Sequence, residues 1–372
     1  MPMETLTRWY LCGAKSPSLA ISAGWTTLRS AQLSPVPGYT AWVCTGCRVP
    51  YKYPAHATRR RSSLSRVPEN GMHGLKGDND GTGSGSLTPL HYLPMTRIAV
   101  FPLLLLGSVQ LYAQAVSVES DVLYAPNLKL DIYRPPNQGA SLRPAVILIH
   151  GGGWTSFDKS TMHGMGEFLA RAGYVAFAVD YRLFHATENR WPAQLDDVQR
   201  AVRWVRGNAA KYGVTPEHIG AFGHSAGAQL ACLLGMEDTR DNSDPNLARF
   251  SSRVQAVVDV SGPVDFTRDH DPEGDAFLAS FIGADFKKNA DAWREASPVF
   301  HVDKKSAPFL IVHGIADESV PVAQADELYD KLRSLGIPAQ ILKLDDGHTF
   351  GKPENRHRLA FETQTFFDHY LH

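Results

Sequence analysis

The sequence predicts an α/β fold: a mostly parallel central sheet with helices on both faces and a small cap insertion. Short, wholly apolar runs such as Ala145–Ile149 and Pro308–Val312 have the character of strands buried on both faces. Segments with apolar residues at helical spacing alternate with them, and strands that alternate with helices pair in parallel through crossovers. No internal repeat is visible.

Residues 1–94 stand outside that pattern. Gly, Pro and Ser make up 29 of these 94 residues, and no helical or strand period persists. Such a composition buries too little apolar area to offset the entropy of ordering, so disorder is expected, or an over-extended reading frame. Met95-Thr-Arg97 then opens a different stretch: a basic residue, the apolar run Ile98–Leu106 and the small-x-small Ala113-Gln-Ala115. That is the order of a secretory signal peptide, so residues 95–115 are expected to be a leader with translation starting at Met95. The chain would then be secreted or periplasmic. A buried apolar segment of a folded N-terminal region is the alternative. The run is too short to span a bilayer, so no stable membrane insertion is expected.

Charge follows the same division. Residues 1–94 hold ten Lys/Arg against four Asp/Glu, whereas residues 116–372 hold 26 against 34. An acidic main body offers no electrostatic footprint for nucleic acid. Cys12, Cys44 and Cys47 precede the body and only Cys232 lies within it, so the body can form no internal disulfide. Cys232 lies in an apolar helical run and reads as a buried thiol. Cys44-x-x-Cys47 has no second pair, and so is a weak metal or redox signal.

Residues 116–372 are expected to form the catalytic domain. Val118–Tyr124 and Leu128–Tyr133 predict an antiparallel hairpin around Pro126-Asn127, followed by a polar loop over Pro135–Arg143 and the strand Ala145–Ile149. A helix over Met162–Ala172 ends at Gly173, and Tyr174–Val179 is the next strand. Pro192–Tyr212 predicts one long amphipathic helix, with Leu195, Val198, Val202, Val205 and Ala209 on one face. Ile219–Phe222 is a strand, Ala226–Leu234 a helix and Val254–Val260 a strand. Phe266–Ala296 is less regular and is expected to form the cap. Strand Pro308–Val312, helix Val322–Leu335, strand Ala339–Leu344 and helix Glu354–Tyr370 complete the chain.

The chemistry-bearing motifs fall at the carboxyl ends of these strands. Gly223-His-Ser225-Ala-Gly227 follows Ile219–Phe222 and opens a helix, a context that pushes a serine hydroxyl out on a tight turn beside a helix N-terminus. A Gly-rich turn of no catalytic use has the same five-residue pattern, so the other parts decide. His150-Gly-Gly-Gly-Trp154 follows the strand 145–149, and its glycines let backbone N–H groups approach an oxyanion closely. Asp317 lies in the loop after strand 308–312, where it would orient an imidazole; Glu318, Asp259 and Asp265 are rival acids. His348, in Asp345-Asp-Gly-His348, follows the last strand and would be the general base. His150 and His224 are expected to support loop geometry, with His313 behind the acid.

The order Ser225, Asp317, His348 is that of an α/β-hydrolase. Residues 116–372 resemble the hormone-sensitive-lipase and feruloyl/acetyl-esterase-like group of that fold, through His150-Gly-Gly-Gly-Trp154, Gly223-His-Ser-Ala-Gly227, His313-Gly-Ile-Ala-Asp317 and Gly347-His348. The segments Gly173–Arg182 and Trp191–Asp197 are similar too. The resemblance implies oxyanion donors from the backbone of Gly152, Gly153 and Ala226. It says nothing of residues 1–94.

The expected activity is hydrolysis of small or medium acyl esters, acetyl and feruloyl groups among them, on a small molecule or a polysaccharide. Trp154, Phe184 and Trp191, with Phe157, offer walls for an acyl or aromatic pocket, or else core packing. The reaction calls for no metal and no organic cofactor. An amide-directed hydrolase of the same fold (an arylformamidase or a peptidase) is the alternative. A silent binding protein ranks below both, since no motif residue is missing. Oligomeric state is not legible.

Overall fold

Asn127 takes a left-handed φ of 61°, which Asn tolerates better than most residues, and closes the hairpin between β1 (Ser117–Ala125) and β2 (Leu128–Arg134). The alternation then runs through β3 (Arg143–Ile149), α1 (His163–Arg171), β4 (Val175–Val179), α2 (Ala193–Gly207), α3 (Ala209–Tyr212), β5 (Val214–His224) and α4 (Ala226–Met236). β6 (Ala256–Val260), α5 (Pro272–Ile282), α6 (Ala290–Ala296), β7 (Phe309–Gly314), α7 (Ala323–Ser334), β8 (Ala339–Leu344) and α8 (Pro353–Leu371) follow. This structure is a computed structural model and describes residues 115–136, 141–239, 244–268 and 272–372. The expectations for residues 1–94, for the leader before Ala115 and for Cys12, Cys44 and Cys47 lie outside the described residues.

The eight strands form one sheet in the order β1-β2-β4-β3-β5-β6-β7-β8. β2 pairs antiparallel with β1 and β4, and the remaining pairs are parallel. This is the open, mostly parallel α/β-hydrolase sheet that the apolar runs predict. Period-2 alternation divides β3 between two cores: Ala145, Ile147 and Ile149 face one, Val146 and Leu148 the other. α2, α4 and α7 cover the first face, and α1 and α8 the second. Among the described residues no helix is long and apolar enough to cross a membrane.

Two elements differ from expectation. The helix expected over Pro192–Tyr212 is broken at Asn208, whose side-chain Nδ2 donates to the Trp204 carbonyl at 2.8 Å. The Trp204 carbonyl thus accepts both the N–H and the side-chain amide of Asn208, and α2 ends there, although apolar spacing continues through Ala209. β5 begins at Val214 rather than Ile219, because Arg143 of β3 pairs with Val214 and its N–H donates to the Gly213 carbonyl. Pairing with a neighbour, rather than local propensity, extends the strand.

The position of the site follows from topology. β4 lies on one side of β3 and β5 on the other, so the connections leaving β3 and β5 diverge there, and a crevice opens beyond the carboxyl ends. Ile149 pairs with Gly223, His224 with Val260, Val260 with Val312, and Gly314 with Leu344. The chain therefore leaves five neighbouring strands at the same end of the sheet, side by side.

Candidate active site

Ser225 stands between β5 and α4 at φ 55° and ψ −123°, a region non-glycine residues rarely occupy. Its N–H donates to the Val260 carbonyl at 2.8 Å, and its own carbonyl accepts from Ala228 and Gln229. The turn is pressed against the sheet: a Cβ on Gly227 would lie 2.2 Å from the Ile149 carbonyl oxygen. No residue but glycine fits, which is the physical content of the motif.

The His348 loop crosses back from β8 over β7 to reach Ser225. Asp346 organises that crossing. Its Oδ1 accepts the N–H groups of Gly347 and Gly351, and its Oδ2 accepts those of Lys352 and the Asn355 side chain, at 2.9–3.0 Å. His348 Nε2 then lies 2.8 Å from Ser225 Oγ, and Nδ1 lies 2.7 Å from Asp317 Oδ2. A carboxylate can only accept, so Nδ1 carries the hydrogen and the neutral ring offers Nε2 as the acceptor for the serine hydroxyl. The other oxygen of Asp317 accepts from the N–H groups of Ser319 and Val320, each at 2.9 Å. Burial opposes ionisation of this carboxyl, yet the hydrogen bonds from His313 and His348 hold it well below the usual carboxylate range.

The rival acids are elsewhere. Glu318 is exposed. Asp259 is buried in β6 and accepts from the Gly262 N–H, and burial pushes its carboxyl up. Asp265 bonds to Thr267 and Arg268.

On the far side of Ser225, Gly152 and Gly153 take φ of 105° and 58°. A Cβ on Gly152 would lie 2.2 Å from the Ser156 carbonyl oxygen, so this turn too excludes side chains. Among the described residues, the N–H groups of Gly152, Gly153 and Ala226 have no hydrogen-bond partner. They leave from the ends of paired strands, with a Cβ on neighbouring Gly151 only 3.2 Å from Ser225 Cβ. Two residues that the sequence did not single out brace this loop. Tyr181 Oη donates to the carbonyls of His150 and Gly151 at 3.0 and 3.3 Å, and its ring stacks on His150. Gln229 accepts from Trp154 Nε1 at 3.2 Å and donates to the Ala296 carbonyl at 2.8 Å, joining the loop to α4 and the cap. A buried glutamine inside an otherwise apolar helical run is the one sequence signal that could have marked it.

The flanking histidines take their expected places. His224 Nε2 donates to the His348 carbonyl at 2.9 Å, and burial followed by the proximity of His348 pushes its imidazole down to about 4. His150 Nδ1 donates to the Gly151 carbonyl, and burial lowers that ring to about 4.

The aromatic residues expected as pocket walls do converge, but on the cap. Trp154 stacks on Phe281 with centroids 4.6 Å apart, and Phe184 and Trp191 meet the same ring edge-on. Trp154 and Phe184 are buried, whereas Trp191 is half-buried. Phe157 is exposed, with a φ of 70°, and packs against Gly152.

The BD-FAE family model matches residues 130–332. A probable carboxylic ester hydrolase, LipM, from Mycobacterium tuberculosis is 34% identical over 212 residues, covering 55% of this chain and 49% of the relative. The chain spans about half the length of the curated relatives it matches. A truncated carbohydrate esterase from gut microbiota has a similar structure, with TM-score 0.59, 28% identity and coverage of 69% of this chain and 96% of that one. So has a Thermogutta terrifontis esterase solved with butyrate bound: TM-score 0.59, 26% identity and coverage of 68% and 94%.

Proposed function

The chain belongs to the BD-FAE family, and we propose that it is a serine carboxylic-ester hydrolase acting on small or medium acyl esters through a covalent acyl-enzyme. The observation that carries this reading is the unbroken chain from Ser225 Oγ to His348 to Asp317 at 2.8 and 2.7 Å, beside three unpartnered backbone N–H groups. Ser225 attacks the ester carbonyl while His348 Nε2 takes the hydroxyl proton. The imidazolium so formed faces the Asp317 carboxylate, which also holds the ring in the tautomer that leaves Nε2 free. Negative charge on the carbonyl oxygen is met by the N–H groups of Gly152, Gly153 and Ala226, a kind of contact worth roughly 10²–10³ in rate per donor. His348 passes its proton to the departing alkoxide, and water then releases the acid along the same route in reverse.

A short acyl group agrees with the butyrate held by the Thermogutta esterase, and acetyl or feruloyl groups on polysaccharide agree with the carbohydrate esterase likeness. Phe157 and the half-buried Trp191 would flank the acyl group, and Trp154 and Phe184 would back the wall from within the core. The test compares the full chain with Ser225→Ala on p-nitrophenyl acetate, butyrate and octanoate, and on acyl p-nitroanilides. The wild type should hydrolyse the short esters at least about 10³-fold faster than the variant. Equal ester rates in the two proteins overturn the reading, and a preference for the anilides moves it to an amide-directed enzyme.

A further inference from the structure

His313 closes β7 four residues before Asp317 and is 1% exposed. Its Nε2 lies 2.9 Å from the Val320 carbonyl oxygen and 3.3 Å from Asp317 Oδ2. Both neighbours are acceptors, so Nε2 must carry a hydrogen, which bonds to Val320 and lies within ion-pair range of Asp317. The same Asp317 oxygen receives His348 Nδ1–H at 2.7 Å, while Oδ1 is held by the N–H groups of Ser319 and Val320. Asp317 is therefore contacted from four sides, and among the described residues His313 is the side chain that meets it besides the proposed base.

We propose that His313 is a positioning residue for this site: its Nε2–H shares the Asp317 carboxylate with His348, fixes the orientation of Oδ2 and draws off part of its negative charge. The proposal rests on the serine-hydrolase reading of Ser225, His348 and Asp317. Two rings on one carboxylate oxygen compete for its charge, so His313 moderates how strongly Asp317 holds the His348 proton. Without it, Oδ2 would face His348 alone and the imidazolium would persist to higher pH.

The other groups around His313 do not replace this contact. Asp259 on β6 acts on the ring through its charge, and burial pushes that carboxyl up, with Cys232 of α4 hydrogen-bonded to it. His224 on β5 feels the His313 charge. On β8, Lys343 pairs in register with His313, and its ammonium is engaged 2.5 Å from Asp326 of α7. Burial works against charge on His313, but the bonds to Asp317 and Val320 outweigh it and move the imidazole upward.

The test uses short-ester kinetics on the full chain with His313→Leu, which keeps volume but no donor, and His313→Gln, whose amide can donate from the Nε2 position. For His313→Leu, kcat should fall by about 10- to 100-fold with KM within about twofold, and the acid limb of the kcat/KM profile should move to higher pH. His313→Gln should restore most of kcat. A folded His313→Leu with wild-type kcat and an unmoved acid limb overturns the proposal. Should that variant not fold, ¹⁵N-histidine NMR of the wild type decides. The His313 Nε2–H resonance should move through the pH range of the kcat/KM acid limb, and should cease to move in Asp317→Asn. A resonance flat through that titration overturns the proposal, because a bond to Val320 alone would be indifferent to it. Ser225→Ala run alongside separates the two failures: an active Ser225→Ala removes the underlying reading, whereas an inactive one with an indifferent His313 removes only this proposal.

Discussion

Ser225 occupies its turn at a conformational cost of roughly 1–3 kcal/mol, sustained by the Val260 carbonyl on one side and the start of α4 on the other. Asp317 accepts three hydrogen bonds, from His348, Ser319 and Val320, and has His313 Nε2 at 3.3 Å beside the same oxygen that His348 holds. Asp317→Asn keeps the shape but turns an acceptor into a donor facing two imidazoles, and kcat should fall about 10³- to 10⁴-fold. Glu318→Gln, one residue along and exposed, should stay within about twofold; steady-state kinetics on a short ester compares the two. Two buried groups also predict the pH dependence of stability, with separate windows. Unfolded His150 takes up a proton near pH 6.5 but the folded ring only near 4, so the unfolded state binds more protons between those values. Stability therefore falls as pH drops from about 6.5 to about 4, by ~3 kcal/mol for this ring. Asp317 has a depressed folded value, so its contribution is complete above the ordinary carboxylate range near 4 and is lost as pH falls below it. Urea unfolding at pH 7 and pH 4.5 checks the first window: wild type should lose at least about 2 kcal/mol more than His150→Asn. Equal losses would contradict it.

Glycine placement decides what the turns and helices can do. A Cβ on Gly227 meets the Ile149 carbonyl at 2.2 Å, whereas one on Gly164 in α1 meets nothing within 4 Å. Gly227→Ala should destabilise by about 1–3 kcal/mol or more and abolish activity, because backbone has to move. Gly164→Ala should be neutral or stabilising by up to about 1 kcal/mol, since only helix propensity changes. Paired urea titrations measure both. Between elements, Gln229→Leu would strand the Trp154 Nε1–H and the Ala296 carbonyl, and should cost about 1–3 kcal/mol together with oxyanion-loop order. The apolar runs of β3, β4 and β6 were legible because burial on both faces leaves only one reading of such residues. The extension of β5 to Val214 was not, because it depends on pairing with Arg143, which only the fold brings alongside; nor was the break at Asn208, because the apolar spacing runs on through Ala209.

Across the whole molecule, legibility follows the range of the interaction. Ser225, Asp317 and His348 could be located because each sits in a local strand-to-loop pattern, and adjacent register in one sheet then brings them together. The surroundings of Trp154 and Phe184 were open between pocket wall and packing, because Phe277 and Phe281 reach them only through the folding of the cap. Tyr181 escaped the sequence reading because its bonds to the His150 and Gly151 carbonyls are made only in the fold, whereas His313, at the head of the motif that ends in Asp317, was placed behind the acid from its spacing. We propose, from the order of basic residue, apolar run and small-x-small site over residues 95–115, an exported product beginning at Val116. N-terminal sequencing of the natural product checks this, and recovery of residues 1–94 would contradict it. The central claim, that Ser225 becomes acylated, is tested most directly by rapid mixing with p-nitrophenyl acetate followed by acid quench and peptide mass mapping. The account predicts a burst of about one acyl group per chain, carried on the peptide containing Ser225 and absent from Ser225→Ala. An acyl group mapped to another residue, or steady turnover by Ser225→Ala without one, would contradict it.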